Sequence, residues 1–359
     1  MKALLLTDYM HLELADVDIP TIGPRDVLIR VRSCGICGSD VHGIDGSTGR
    51  RIPPLVMGHE AAGVITQAGR DAGPWKPGDR VTFDSTISCG DCDFCRRGEV
   101  NLCDNRQVLG VSCGDYRRNG AFAEYVAVPA RILYRLPDAL SFDHAAMIEA
   151  VSVAVHAVSL TPVAPGDTAV VVGCGMIGQL TIQAARAAGF STVIGVDVDD
   201  ARLAVALAAG ADAVLNSRTS DAPAEIRART GGRGADAVLE AVGSTAPIQT
   251  AIAAVRKGGA VTLIGNFSAN IELPLQQVVT RQIRLQGSCA SCGEYPLAME
   301  LMASGKIRVA PLITAIAPLA DGAQWFERLH AREPNLMKIV LDPRLDPRIA
   351  PVAPVSEVA

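Results

Sequence analysis

The sequence predicts an α/β protein in two parts: a strand-rich domain, and a domain whose doubly wound parallel sheet is covered by helices on both faces. Three observations lead there. From Pro165 onward, continuous apolar runs of strand length alternate with Ala-rich helical stretches, the pattern of parallel strands buried on both sides. Before that point, short apolar segments are split by Gly, Pro and Asp turns. At 359 residues the chain is also long enough for about two domains.

Taken in order, the strand-rich part shows VLIRVRS (27–33), AAGVITQAG (61–69), RVTFD (80–84) and AFAEYVAVP (121–129). A helical pattern from Phe142 to Leu160 follows, small and apolar nearly all round, so it is expected to be buried. The second part opens with TAVVVG, the helical IGQLTIQAARAAG, then TVIGVDV and the helical DARLAVALAAG. Later strands are AVLN (213–216), AVLEAVG (237–243), AVTLIG (260–265) and IRLQGS (283–288). Two helical stretches, PLAMELMASGKI and GAQWFERLHARE, precede a last strand, MKIVLDP. The tail from Arg344 has no periodicity and reads as loose. The expected boundaries are 1–155 for the first domain, 156–290 for the second, 291–343 for a return to the first, and 344–359 for the tail.

Hydrophobic residues make up 49% of the chain, enough for a sizeable core, and charged residues 20%. A net charge of −5 argues against nucleic-acid or anionic-membrane partners. The N-terminal apolar run is too short, and followed too early by an acid, for a signal peptide, and no run spans a bilayer. A cytoplasmic protein is the expectation. Four of the ten cysteines crowd into fifteen residues, which in a reducing compartment reads as metal ligation rather than disulfides.

That cluster is Cys89-x2-Cys92-x2-Cys95-x7-Cys103. Two-residue gaps let successive thiolates curl around one ion, and the longer gap returns the fourth. Four thiolates close a tetrahedron with no open position, which defines a structural zinc site; iron–sulfur spacings overlap with it. A second constellation is dispersed: Cys37, Ser39, Asp40 and His42 in CGICGSDVHG, His59 and Glu60 in MGHEAAG, and Glu149. One thiolate, one imidazole and one carboxylate would leave the open position a catalytic zinc requires.

The glycine loop supplies context. VVVGCGMIGQL carries Gly173, Gly175 and Gly178 between an apolar strand and a helix. The first glycine permits a tight turn, the second lets a pyrophosphate approach, and the third allows close helix–strand packing. The backbone N–H groups at the helix start, around Met176 and Ile177, then face the phosphates. Asp197, nineteen residues past Gly178, stands where a carboxylate accepts from the adenosine ribose. A carboxylate there repels a 2′-phosphate, so NAD is expected over NADP.

Together CGICGSDVH, GHEAAG, the cysteine knuckle, GAFAEYV, IEAVSVAVHAV, GCGMIG, GVD and KIVLDP make the chain resemble the zinc-containing medium-chain alcohol dehydrogenases, most closely the sorbitol/threonine dehydrogenase branch. The resemblance implies a GroES-like catalytic domain and a Rossmann domain, two zinc ions and NAD. It also implies a homodimer or homotetramer, and hydride transfer between NAD and a secondary alcohol or its ketone. A polyol, cyclitol or sugar (phosphate) is expected first, a threonine-like amino alcohol or simple secondary alcohol next. A catalytically idle relative is the contrasting class. By the same resemblance Cys37 and His59 are zinc ligands, with Glu60 or Glu149 as the third. Asp40 would orient His59, Ser39 and His42 occupy proton-relay positions, and Arg202 lies near the adenosine.

Two departures bear on substrate. Sorbitol dehydrogenases carry an Arg-Tyr pair where this chain has Ala290-Ser291, and an aromatic where it has Gly43. Tyr116 and Arg117, in GVSCGDYRRNG, are candidate replacements for the lost polar contacts. Cys289 and Cys292 are expected near the nicotinamide or a subunit contact. Cys34, Cys113 and Cys174 read as packing residues, and His156 as a satisfied core histidine.

Overall fold

A computed structural model describes residues 1–349. The chain forms two compact units. One comprises Met1–Cys92, Asp104–Met147 and the described residues from Ile313 on; the other comprises Asp93–Cys103 and Ile148–Leu312.

The first unit is built on a mostly antiparallel seven-stranded sheet. Its central strand, Asp26–Gly35, is flanked on one side by Glu60–Ala68 and then Arg80–Phe83, and on the other by Lys338–Asp342. Tyr125–Pro129 also pairs with the central strand. Alternation is visible where one face is buried: Ile29 and Val31 are about 1% exposed while Arg30 and Arg32 are partly exposed. Their core joins Leu4, Leu6, Phe83 and Phe122, and Phe122 meets Phe326 edge-on at 5.7 Å.

The second unit is a six-stranded parallel sheet. Numbered by sequence from Thr168–Val172, its strand order is 3-2-1-4-5-6, the doubly wound arrangement. The central strands are continuous buried runs: Ala169, Val170 and Val171 are 0% exposed, as are Ala237, Val238 and Leu239. Helices on both faces demand that.

Several boundaries differ from the sequence expectation. The Phe142–Leu160 helix is two helices, Phe142–Ala145 and Ile148–Ser159. The second belongs wholly to the parallel-sheet unit, because its all-round apolar surface packs against the helices Met176–Ala188 and Tyr295–Ala303. The unit therefore begins at Ile148, not 156, and ends at Leu312, not 290. The start of the expected loose tail is ordered: Arg344 pairs with Asp342 at 2.6 Å, Arg348 with Asp346 at 3.1 Å, and Ile349 is 8% exposed. The remainder of that tail, 350–359, lies outside the described residues. No described helix is long and apolar enough to cross a membrane.

Candidate metal centres and dinucleotide loop

Three strands of the first unit bring the dispersed motif together. Gly35, at the end of the central strand, lies opposite Glu60 on one side and Val340 on the other. Cys37 follows two residues later and opens the short helix Gly38–Gly43. Ligand atoms of Cys37, His59 and Glu60 consequently lie within 4.8 Å of one another. Register is part of the cause: slipping Glu60–Ala68 by one residue would turn the Glu60 carboxylate to the other face of the sheet.

Asp40 is fully buried on that helix, its Oδ1 3.4 Å from His59 Nδ1 and 2.8 Å from Arg51 Nη2. Burial pushes its carboxyl up, but His59 and Arg51 outweigh burial and hold it well below the usual range. Burial likewise pushes the His59 imidazole down, while Asp40 and Cys37 together raise it well above its ordinary value. A metal at this point must displace that proton. Lys338, only 1% exposed, donates to Glu60 Oε2 and, at 3.1 Å, to the Ile36 carbonyl. Asp40 Oδ2 and Glu60 Oε1 are buried without a hydrogen-bond partner. Orphaned buried acceptors beside a thiol and an imidazole fit a divalent cation, and a sulfur–nitrogen–oxygen set is that of zinc.

Ser39 Oγ donates to Cys37 Sγ at 3.3 Å. His42, three residues on, shares its helix face and is exposed. Partial burial first, then the Arg332 and His330 charges, push its imidazole down, so near neutral pH it stands as a neutral acceptor. Glu149 lies in the first turn of Ile148–Ser159, partly buried.

In the stretch 89–103 the four sulfurs of Cys89, Cys92, Cys95 and Cys103 lie within 4.8 Å of one another, the closed thiolate set the spacing predicts. From the same stretch Asn101 Nδ2 donates to the Cys289 carbonyl at 2.8 Å, and Cys292 Sγ to the Gly98 carbonyl at 3.1 Å. Cys289 and Cys292 therefore tie the segment 98–101 in place. His156 is a core residue, 7% exposed, its Nδ1 2.7 Å from Glu294 Oε1 and its Nε2 3.4 Å from Asn101.

The glycine loop follows the strand Thr168–Val172 and opens the helix Met176–Ala188. Gly173 has φ +93°, which disfavours any side chain. A Cβ on Gly178 would stand 1.8 Å from the Gly173 carbonyl oxygen. Gly175 differs: its φ of −69° is open to any residue, and a Cβ would meet nothing within 4 Å. Neither backbone nor packing calls for glycine there, so the cradle fits a group approaching from outside, as a pyrophosphate does. The Asp197 carboxylate accepts from Cys174 N at 2.6 Å, Val198 N at 2.7 Å and Asp199 N at 3.0 Å, which fixes its position at the strand end. Arg202, half exposed, lies 4.0 Å from Asp199. Buried Cys34 and Cys174 are packing thiols, the latter pushed up to about 12 by burial.

The loop residues offered as substrate contacts are engaged elsewhere. Arg117 spends its guanidinium on the Pro54 and Pro53 carbonyls, at 2.7 and 3.3 Å, and the Tyr116 hydroxyl accepts from Val108 N at 3.1 Å. Conversely, the sequence reading missed Arg51 and Lys338 as site residues. Neither lies in a motif with ligand spacing, and only their tertiary contacts mark them.

Residues 23–138 match the alcohol dehydrogenase GroES-like domain and residues 177–304 the zinc-binding dehydrogenase domain. Sorbitol dehydrogenase of Bacillus subtilis (strain 168) is 34% identical over 348 residues, covering 96% of this chain and 97% of that protein. Galactitol-1-phosphate dehydrogenase from Escherichia coli superposes with a TM-score of 0.89 at 27% identity, over 96% of this chain and 100% of that one. A Sinorhizobium meliloti 1021 structure described as a zinc-binding dehydrogenase bound to NADP gives 0.87 at 31% identity, over 95% and 99%. With a GroES-like fold, a dinucleotide loop and two sets of metal-ligating side chains in place, the chain belongs to the zinc-containing alcohol dehydrogenase family, in its sorbitol dehydrogenase-like branch.

Proposed function

We propose that the chain is an NAD-dependent dehydrogenase of a polyol, sugar or sugar phosphate, oxidising a secondary alcohol or reducing its ketone. The observation that carries it is the Cys37–His59–Glu60 set, buried orphan acceptors included, in a chain that also holds the Gly175 cradle. Zinc at that set would supply Lewis acidity, and NAD at the glycine loop the hydride acceptor. Cys37 and His59 would hold the metal, and Asp40, 3.4 Å from His59 Nδ1, would orient the ring and leave Nε2 as the nitrogen free to ligate. Lys338 holds Glu60 by charge, which argues that Glu60 is not its permanent third ligand; Glu149 is the other carboxylate the family resemblance supplies. Ser39 takes the alcohol proton, and His42, kept neutral by burial and by its cationic neighbours, receives it toward solvent.

The substrate class rests on relatives such as the B. subtilis sorbitol dehydrogenase and the E. coli galactitol-1-phosphate dehydrogenase. NAD rests on Asp197, against the NADP bound in the S. meliloti structure. Self-association is supported by the terminal strand Arg284–Gly287, which among the described residues pairs on one side only, and by exposed Leu275 and Val279 close by in sequence. The test is turnover of polyols, their phosphates and simple secondary alcohols with each coenzyme, for wild type and Asp197→Ser. Polyol turnover is expected, with NAD preferred by at least ~10-fold, the equivalent of one charged contact of ~1.4 kcal/mol. Asp197→Ser should narrow that ratio. Equal rates with NADP, or activity on simple alcohols alone, would overturn the corresponding half of the reading.

A further inference from the structure

Beside the metal set lies a cation that no motif announces. Arg51 is 4% exposed. Its backbone is pinned where Ile52 N donates to the Ser112 carbonyl at 3.1 Å and Ser112 N to the Arg50 carbonyl at 3.3 Å. From there the guanidinium reaches Asp40 Oδ1 through Nε at 3.2 Å and Nη2 at 2.8 Å, and Ser39 Oγ through Nη2 at 3.4 Å. Nη1 donates to the Arg50 carbonyl at 3.0 Å. With its donors so committed, the group is built to hold side chains rather than to bind an outside anion.

The slot for its stem is Gly43. A Cβ there would stand 2.5 Å from Arg51 Cγ and 3.4 Å from Arg51 Cβ. Gly43 has no left-handed backbone to account for it. The arginine stem is therefore what excludes a side chain at Gly43. That packing sets a rigid fork against both Asp40 and Ser39.

Resting on the metal reading above, we propose that Arg51 is a positioning residue of the catalytic centre, fixing the His59 ring through Asp40 and the Ser39 hydroxyl directly. For His59 Nε2 to offer its lone pair to a metal, Nδ1 must carry the ring proton, and an acceptor at Nδ1 selects that tautomer. Asp40 Oδ1, 3.4 Å from an Nδ1 that has no hydrogen-bond partner of its own, is the carboxylate oxygen placed to be that acceptor, and the guanidinium holds it there. At 0% exposure Asp40 has no solvent to steady it, so the two-point grip of Nε and Nη2 sets where Oδ1 stands. The same Nη2 donates to Ser39 Oγ, which leaves the Ser39 proton directed at Cys37 Sγ. A lysine could keep the charge but not the planar fork that spans both partners.

The experiment loads the full chain with cobalt(II) in place of zinc, and follows chelator-driven release from the Cys37–His59 site by its visible spectrum. The four-thiolate site serves as the internal control for folding. Arg51→Met should release that cobalt ~10- to 100-fold faster, the range seen when a ligand's outer partner is lost, with the four-thiolate spectrum unchanged. Arg51→Lys should fall between Met and wild type. Gly43→Ala, which keeps the guanidinium but displaces its stem, should shift release in the same direction by less. Turnover should fall while KM stays near wild type. Wild-type release rates and spectra in both Arg51→Lys and Arg51→Met would overturn the proposal. If Arg51→Met does not fold, the Lys and Gly43→Ala variants still decide it. Cobalt uptake by the four-thiolate site alone in wild type would overturn the metal reading itself, a different result from unchanged release.

Discussion

Gly175 and Gly178 stand three residues apart in one loop, and a methyl group at each should fail in opposite ways. At Gly178 the added Cβ would lie 1.8 Å from the Gly173 carbonyl oxygen, far inside the 3.4 Å at which ordinary contact begins. The helix Met176–Ala188 would have to move off its strand, a backbone displacement at the top of the overpacking range, ~3 kcal/mol. For a unit of this size that corresponds to a Tm lower by roughly 6–12 °C. At Gly175 the Cβ meets nothing, and a φ of −69° suits alanine. The unfolded chain loses freedom, so Gly175→Ala should match wild type or gain ~0.4–1 kcal/mol. The methyl would instead occupy the space a pyrophosphate enters, a clash of ~1–3 kcal/mol in binding, or ~5- to 150-fold in Kd. Thermal melting without coenzyme, paired with NADH titration by fluorescence, separates the two variants. Wild-type NADH affinity in Gly175→Ala would refute the cradle, and a wild-type Tm in Gly178→Ala would refute the packing argument.

Other outcomes follow from the metal sets and from one hydrogen-bonded pair, His156 and Glu294. Cys95→Ser should leave the chain unstable or aggregated, since the ion's binding contributes to folding, whereas Cys37→Ala should melt normally yet hold one zinc fewer and be inactive. Full zinc content and native melting in Cys95→Ser would contradict the four-thiolate assignment. Burial pushes the Glu294 carboxyl up, but His156 and the Cys292 N–H outweigh it and hold it below its ordinary value of 4.5. A depressed carboxylate contributes stability above its unfolded value and loses it as pH falls through the folded one. Glu294→Gln should therefore be less stable than wild type by ~1 kcal/mol near pH 7, the gap closing below about pH 4.5; a gap constant with pH, read from urea midpoints, would count against that pair.

What the sequence determined by itself is whatever local chemistry encodes. Two-residue gaps between Cys89, Cys92 and Cys95 leave few alternatives to a metal, and the four sulfurs do converge. Continuous apolar runs could be satisfied only by strands covered on both faces, and they form the parallel sheet. Gly173, Gly175 and Gly178 announced the loop because each answers a separate steric demand at fixed spacing. The tertiary structure decided the rest, since those contacts join residues with no shared period. Lys338 reaches Glu60 across 278 positions, and nothing in KIVLDP says that its first residue turns inward. Arg117 looked like a donor free for substrate until the Pro53 and Pro54 carbonyls took it. Arg51 sits in an unremarkable turn-rich stretch, and only the fold brings its guanidinium to Asp40 and its stem to Gly43. A motif records what neighbours along the chain require of one another; a buried charge is assigned its partner only when distant strands pair in register and exclude the water that would otherwise have solvated it.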